Sequence, residues 1–158
     1  EAKFIHTVRN PMDTCLSNYK QLFTLNFYSY SYCPTECAEY ILLYQDLMTF
    51  WKQQLPGRIL DVYYEEVVSD AKTQLERLLE FLELKWDDAC LNFHNNKSPV
   101  DTASLSQVRQ PIYQSAVQHW THFRSYLQES IDIFTQAGIE VSPANVETKP
   151  LTSLPKQH

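Results

Sequence analysis

The sequence predicts an α/β fold, specifically the helix-rich part of a domain built on a parallel sheet. Two short apolar, β-branched stretches are each followed by helical periodicity. The order runs strand, helix, helix, strand, helix, helix, loop, helix, an alternation that belongs to parallel sheets. A pair of parallel strands is a poor structure alone, because such strands are normally buried within a larger sheet. Further strands are therefore expected upstream of Glu1, and a chain that opens on Glu1 and not on methionine reads as a segment of a longer domain.

The elements follow in order. Phe4 to Val8 reads as the first strand, ended by Arg9, Asn10 and Pro11. Asp13 is the expected N-cap of a helix from Thr14 to about Leu25, with Leu16, Tyr19 and Phe23 on one face. Residues 26–34 read as a tyrosine-rich loop. Thr35 opens a second helix whose stripe is Cys37, Tyr40, Ile41, Tyr44, Leu47, Met48, Trp51 and Leu55, stopped by Pro56 and Gly57. Arg58 to Tyr64 is the second strand. Ser69 or Asp70 caps a third helix with Leu75, Leu78, Leu79 and Leu82 inward, and Asp87 starts a shorter one carrying Cys90, Leu91 and Phe93. After an irregular polar stretch over 95–111, a long helix is expected from Tyr113 to Ala137, with a break near Gln128. Residues 140–158 are expected to be a disordered tail to a partial domain over 1–139.

Composition narrows the function classes. Hydrophobic residues make up 44% of the 158 and aromatic ones 13%, enough for a sizeable core and unlike a disordered chain. The formal net charge of −6 argues against a general attraction to nucleic acid or anionic membrane. No apolar run reaches membrane-spanning length, and no signal peptide is visible. The two glycines, Gly57 and Gly138, each follow a helical stretch, where a left-handed cap favours glycine. None is left for a glycine-rich phosphate loop, so this chain alone does not make a complete P-loop nucleotide enzyme.

Four cysteines occur, at positions 15, 33, 37 and 90. Cys33 and Cys37 are spaced like half a zinc site, but no second Cys/His pair accompanies them. Free thiols are the plain reading, and a Cys33–Cys37 disulfide is the alternative. No acidic cluster asks for a metal, and none is invoked.

Ligands of open α/β sheets bind beyond the carboxyl ends of the strands. Arg9 stands there, directly after Val8, and Ser17 follows in the early turns of the next helix. An arginine fork with a hydroxyl near a helix N-terminus is a sensible phosphate clasp. The competing reading pairs Arg9 with a carboxylate and leaves Ser17 in solvent.

The stretch from Arg9 through Asn10, Pro11 and Ser17 to Tyr19 resembles the 3′-phosphate-binding motif of sulfotransferases. Up to about Ile139 the chain is similar to the bacterial sulfotransferase domains found after tetratricopeptide repeats, relatives of the protein-tyrosine sulfotransferases. The resemblance implies the C-terminal part of a P-loop-type parallel-sheet domain, with the first strands and the phosphate loop missing. It implies 3′-phosphoadenosine-5′-phosphosulfate as donor co-substrate, a hydroxyl acceptor (protein tyrosine or a small alcohol), and the upstream part of the domain with tetratricopeptide repeats as partners. Cytoplasmic location follows from the same resemblance.

Residue by residue, it assigns the 3′-phosphate to Arg9 and Ser17. The Val62–Val67 segment resembles the family's Tyr-Glu-Asp/Glu stretch, which puts Tyr64 near the adenine; a plain core role is the alternative. Ser104 to Pro111 resembles a late loop over the donor, in which Ser104 and Arg109 meet its phosphates; Arg109 reads equally as a solvated loop residue. The departures are His119 where the family has a basic residue before a tryptophan, Gln21 where protein-tyrosine sulfotransferases tend to have arginine, and the missing Gly-x-Pro-Arg-Ser-Gly loop and general base. No catalytic residue is therefore named within the chain, and as a fragment it is expected to be inactive. The rival reading is a non-catalytic helical interaction module, motivated by the aromatic helix faces and the run from Phe27 to Tyr32.

Overall fold

A computed structural model describes residues 2–23, 26–92, 112 and 115–142. They fall into two compact units, one of Glu1–Arg9 with Gly57–Val117, the other of Asn10–Pro56 with Gln118–His158. Phe93, the 95–111 stretch and nearly all of the 140–158 tail lie outside the described residues.

The first unit holds β1 (Phe4–Val8) and β2 (Ile59–Tyr63), paired in parallel with Phe4 opposite Ile59 and Val8 opposite Tyr63. The register places His6 opposite Asp61, and Nδ1 of His6 lies 2.7 Å from Oδ1 of Asp61. Tyr64 does not extend β2 as expected; it opens a short helix, α3 (Tyr64–Ser69). Asp70 then caps α4 (Ala71–Leu82), its carboxylate accepting from Thr73 N–H, as the position of an aspartate before an apolar run predicts. A short 3-10 turn, Asp88–Cys90, follows with Asp87 as its cap. The N-terminal end is tied to α4 by Lys3, whose Nζ donates to the carbonyl of Phe81 and to Glu83, each at 2.6 Å.

In the second unit the first helix differs from expectation. α1 spans Pro11–Lys20, and its N-cap is Asn10, whose Oδ1 accepts from the N–H groups of Met12 and Asp13 at 3.0 and 3.2 Å. Proline at the first helical position needs no hydrogen-bond partner, so the Asn10-Pro11 pair starts the helix three residues early. Leu16 is buried as expected, Tyr19 is exposed, and Phe23 lies past the helix end. The tyrosine-rich stretch forms a kinked 3-10 segment, Asn26–Tyr32.

α2 (Pro34–Gln54) buries only Cys37, Ala38 and Ile41. Its C-terminal half shows Tyr44, Leu47 and Trp51 at 39%, 52% and 44% exposure, so the long apolar stripe is only partly used within the unit. Tyr113, where a long helix to Ala137 was expected to start, lies outside the described residues; over 115–137 the chain is instead a turn, a kinked 3-10 segment, His119–Tyr126, and then α5 (Gln128–Gln136). Gln118 has φ of +57°, a left-handed conformation that an α-helix does not admit, and this stops helix on its N-terminal side. The core gathers Met12, Cys15 and Leu16 from α1, Cys37, Ala38 and Ile41 from α2, Trp120 and Leu127, and Ile131 and Phe134 from α5. Both glycines have positive φ, +72° at Gly57 and +78° at Gly138; Gly138 directly follows the C-cap of α5, as the cap reading requires, whereas Gly57 stands two residues past the C-cap Leu55 of α2, in the turn into β2.

Candidate functional site

The register of the first unit sets up its most distinctive pair. Val8 and Tyr63 are opposite each other, so the next residue of each strand, Arg9 and Tyr64, emerges at the same carboxyl end. There the Arg9 guanidinium lies over the Tyr64 ring, 4.9 Å from its centroid. This is cation–π distance, with the fork's charge set against an aromatic face. One arm is engaged: Nη2 donates to the carbonyl of Ala116 at 2.8 Å. Nε–H is buried and has no hydrogen-bond acceptor among the described residues. A guanidinium donor held out of water is costly unless it finds an acceptor.

Ser17 belongs to the second unit. It lies in the second turn of α1 and is exposed. The N-terminus of α1 is less open than the sequence implied, because Asn10 already takes two of its N–H groups. The first turn also carries a buried carboxylate, Asp13. Asp13 accepts from the N–H of Gln118 at 2.7 Å and of Trp120 at 3.0 Å. It is a staple between α1 and the 3-10 segment, and Asn10 holds the capping role first assigned to it. Gln21 closes α1 with its N–H on the carbonyl of Asn18. His119 lies 3.5 Å from Nζ of Lys20 and edge-on to the rings of His122 and Phe123.

Of the five residues picked from the sequence, Arg9 and Tyr64 are brought together, Ser17 is presented on α1, and Ser104 and Arg109 lie outside the described residues. Sequence reasoning missed Asp13 as a staple, the Ala116 carbonyl on Arg9 and the His6–Asp61 contact. Only the last had a signal, since the strand register once known makes the two neighbours. All four cysteines are free. Among the described residues no group of three or more His, Cys, Asp or Glu side chains is placed to hold a metal ion, and no helix is long and apolar enough to cross a membrane.

The strand–helix order and the parallel pair define an α/β protein. The chain belongs to the sulfotransferase family, whose model matches residues 1–88. It is 31% identical over 157 residues to an uncharacterized protein of Aquifex aeolicus (strain VF5), covering 98% of this chain and 21% of that protein. It is 28% identical over 99 residues to cytosolic sulfotransferase 15 of Arabidopsis thaliana, covering 54% of this chain and 27% of that protein. Among solved structures it resembles the sulfotransferase domain from the curacin biosynthetic pathway, with a TM-score of 0.47 and 18% identity over 89% of this chain and 54% of that one. The chain thus spans about a fifth to a quarter of the curated relatives it matches.

Proposed function

We propose that this chain is the part of a sulfotransferase that binds the 3′-phosphoadenosine end of 3′-phosphoadenosine-5′-phosphosulfate, for sulfuryl transfer to a hydroxyl acceptor such as a protein tyrosine. The observation that carries the reading is the Arg9–Tyr64 pair at the carboxyl end of the two parallel strands. In this reading the free Nε–H of Arg9 donates to the 3′-phosphate, and the exposed Ser17 hydroxyl adds a second donor. The Tyr64 ring offers the adenine a stacking edge beside the cation it already orients. Ser104 and Arg109 meet the donor's phosphates from the late loop.

The 3′-phosphate separates this donor from ATP, so the Arg9 and Ser17 contacts set donor selectivity. Sulfuryl transfer has much in common with phosphoryl transfer, in which positioning and charge stabilisation dominate. The chain's share is positioning. The 5′-phosphosulfate loop and the general base are supplied from outside it, by the rest of the domain, with tetratricopeptide repeats as the further partner. The site is in a cytoplasmic protein in this reading.

Calorimetric titration with adenosine 3′,5′-bisphosphate tests the assignment. Arg9→Ala removes a charge-assisted hydrogen bond of about 1.5–3 kcal/mol and is expected to weaken binding roughly 10- to 100-fold. Ser17→Ala weakens it less. Unchanged affinity in both variants would sink the proposal. The exposed apolar residues of α2 favour a second reading, a helical interaction module; it predicts partner capture that is indifferent to nucleotide and to Arg9→Ala.

A further inference from the structure

Three of the four cysteines lie in the second unit, and the nucleotide reading uses none of them. Cys15 on α1 and Cys37 on α2 are both at 0% exposure. Both belong to one buried cluster between the two helices. Across that cluster Nδ2 of Asn18 is 3.7 Å from Sγ of Cys37. Asn18 stands three residues after Cys15 and so shares its face of α1. The face of α1 that carries Cys15 is therefore the face that meets the Cys37 sulfur.

The third thiol is Cys33, the N-cap of α2 and one turn before Cys37, whose N–H donates to the Cys33 carbonyl at 2.9 Å. Cys33 is only partly buried, and its Sγ lies 3.0 Å from Oγ1 of Thr35. The Glu36 backbone N–H, then the Thr35 hydroxyl, holds the Cys33 thiol below its ordinary pKa. In the buried pair, the bond from the Cys15 thiol holds Cys37 below the ordinary value, while Cys15 is pushed up. Thiolate character at a helix N-terminus is what makes a cysteine nucleophilic at neutral pH.

We propose that Cys33, Cys37 and Cys15 form a thiol-oxidation site that takes a disulfide oxidant of the glutathione class and ends as a Cys15–Cys37 disulfide joining α1 to α2. The Cys33 thiolate attacks one sulfur of the oxidant, forming a mixed disulfide and expelling the first thiolate, which takes a proton. The Cys37 thiolate, one turn on, attacks Sγ of Cys33, and the second oxidant thiol leaves. Cys15 then attacks Sγ of Cys37, and its proton passes to the departing Cys33 thiolate. In sum two protein thiols lose two electrons and two protons, and one disulfide oxidant becomes two thiols. The path starts at an accessible sulfur and ends at one shielded from reductant, so the staple persists once made.

The test uses the chain equilibrated across a series of oxidised-to-reduced glutathione ratios, acid-quenched, alkylated and mapped without reduction. Cleavage after Lys20 and Glu36 separates the three cysteines. The expected oxidised product is a Cys15–Cys37 cross-linked peptide, with a thermal midpoint several degrees higher by circular dichroism. Cys33→Ser is expected to slow its formation at least about tenfold without preventing it. Cys15 and Cys37 both alkylating at every ratio in folded protein would overturn the proposal, as would a Cys33–glutathione or Cys33–Cys37 end product. An unchanged rate in Cys33→Ser would remove Cys33 from the path. The wild-type map needs no variant to fold, and it can fail whether or not adenosine 3′,5′-bisphosphate binds.

Discussion

Single residues show how far chemistry can be read before shape. The place of Arg9 at a strand end was legible because the strand could be recognised from Phe4 to Val8 alone, and strand ends are where such sheets bind ligands. Tyr64 was singled out only through the family's motif, and its meeting with Arg9 needed the register. Separating its ring from its hydroxyl is straightforward: under the proposed role Tyr64→Phe leaves adenosine 3′,5′-bisphosphate binding nearly unchanged, whereas Tyr64→Ala weakens it by about 1–3 kcal/mol, measured by calorimetry. Asp13 was misread because its acceptor role depends on Gln118 and Trp120, more than a hundred positions along. No local pattern encodes that partnership. Asp13→Ala leaves two amides without their acceptor, at about 1–3 kcal/mol each, so urea denaturation should show a loss of about 3 kcal/mol. Asp13→Asn, which keeps one acceptor oxygen, should lose less.

Helices and strands were recovered where local signals agreed with the packing. Asp70 before α4 and the glycine cap after α5 were found because their function is confined to one turn of chain. The start of α1 was misplaced by preferring an aspartate cap over the Asn10-Pro11 pair. Asn10→Ala removes a cap that serves two amides and should cost about 1–2 kcal/mol in urea denaturation. Its effect should appear as lost helix signal even where nucleotide binding survives. The segment after Gly57 was read as one strand through Tyr64, but the chain turns into α3 at that residue, and aromatic propensity does not mark such a corner.

The Asp70 cap also carries a pH signature. Hydrogen bonds from Thr73, side chain first, then backbone, hold its carboxyl below the ordinary value. A depressed folded-state pKa gives stability that is present above the unfolded value and lost as pH falls through the folded one. Melts from pH 5 down to pH 2 should therefore show Asp70→Ser with a flatter acid limb than the parent chain.

For the molecule as a whole, the sequence conveyed the α/β class and the parallel pair, because alternating strand and helix patterns survive any error in boundaries. It conveyed far less about which apolar residues are buried. α2 has one continuous stripe in sequence, yet only its first half is enclosed within its own unit. Periodicity reports that a face is apolar and is silent on what covers it. Leu43→Glu with Leu47→Glu is therefore expected to leave the melting temperature nearly unchanged while lowering concentration-dependent association in sedimentation velocity. A large loss of stability in that double variant would show that the face is already covered.

The second unit is assembled from two stretches of chain separated by the whole middle of the sequence. A ribosome delivers α1 and α2 early and Trp120, Leu127, Ile131 and Phe134 last. During synthesis the newborn α1–α2 pair must therefore wait, with Met12 and Leu16 lacking their final neighbours, while some sixty intervening residues emerge. At elongation speeds of about 5–20 residues per second that interval lasts several seconds. The discontinuity thus creates a window in which this segment depends on chaperones more than its modest size would imply, and a stalled transcript ending before residue 120 would yield a product that proteases clear rather than one that accumulates.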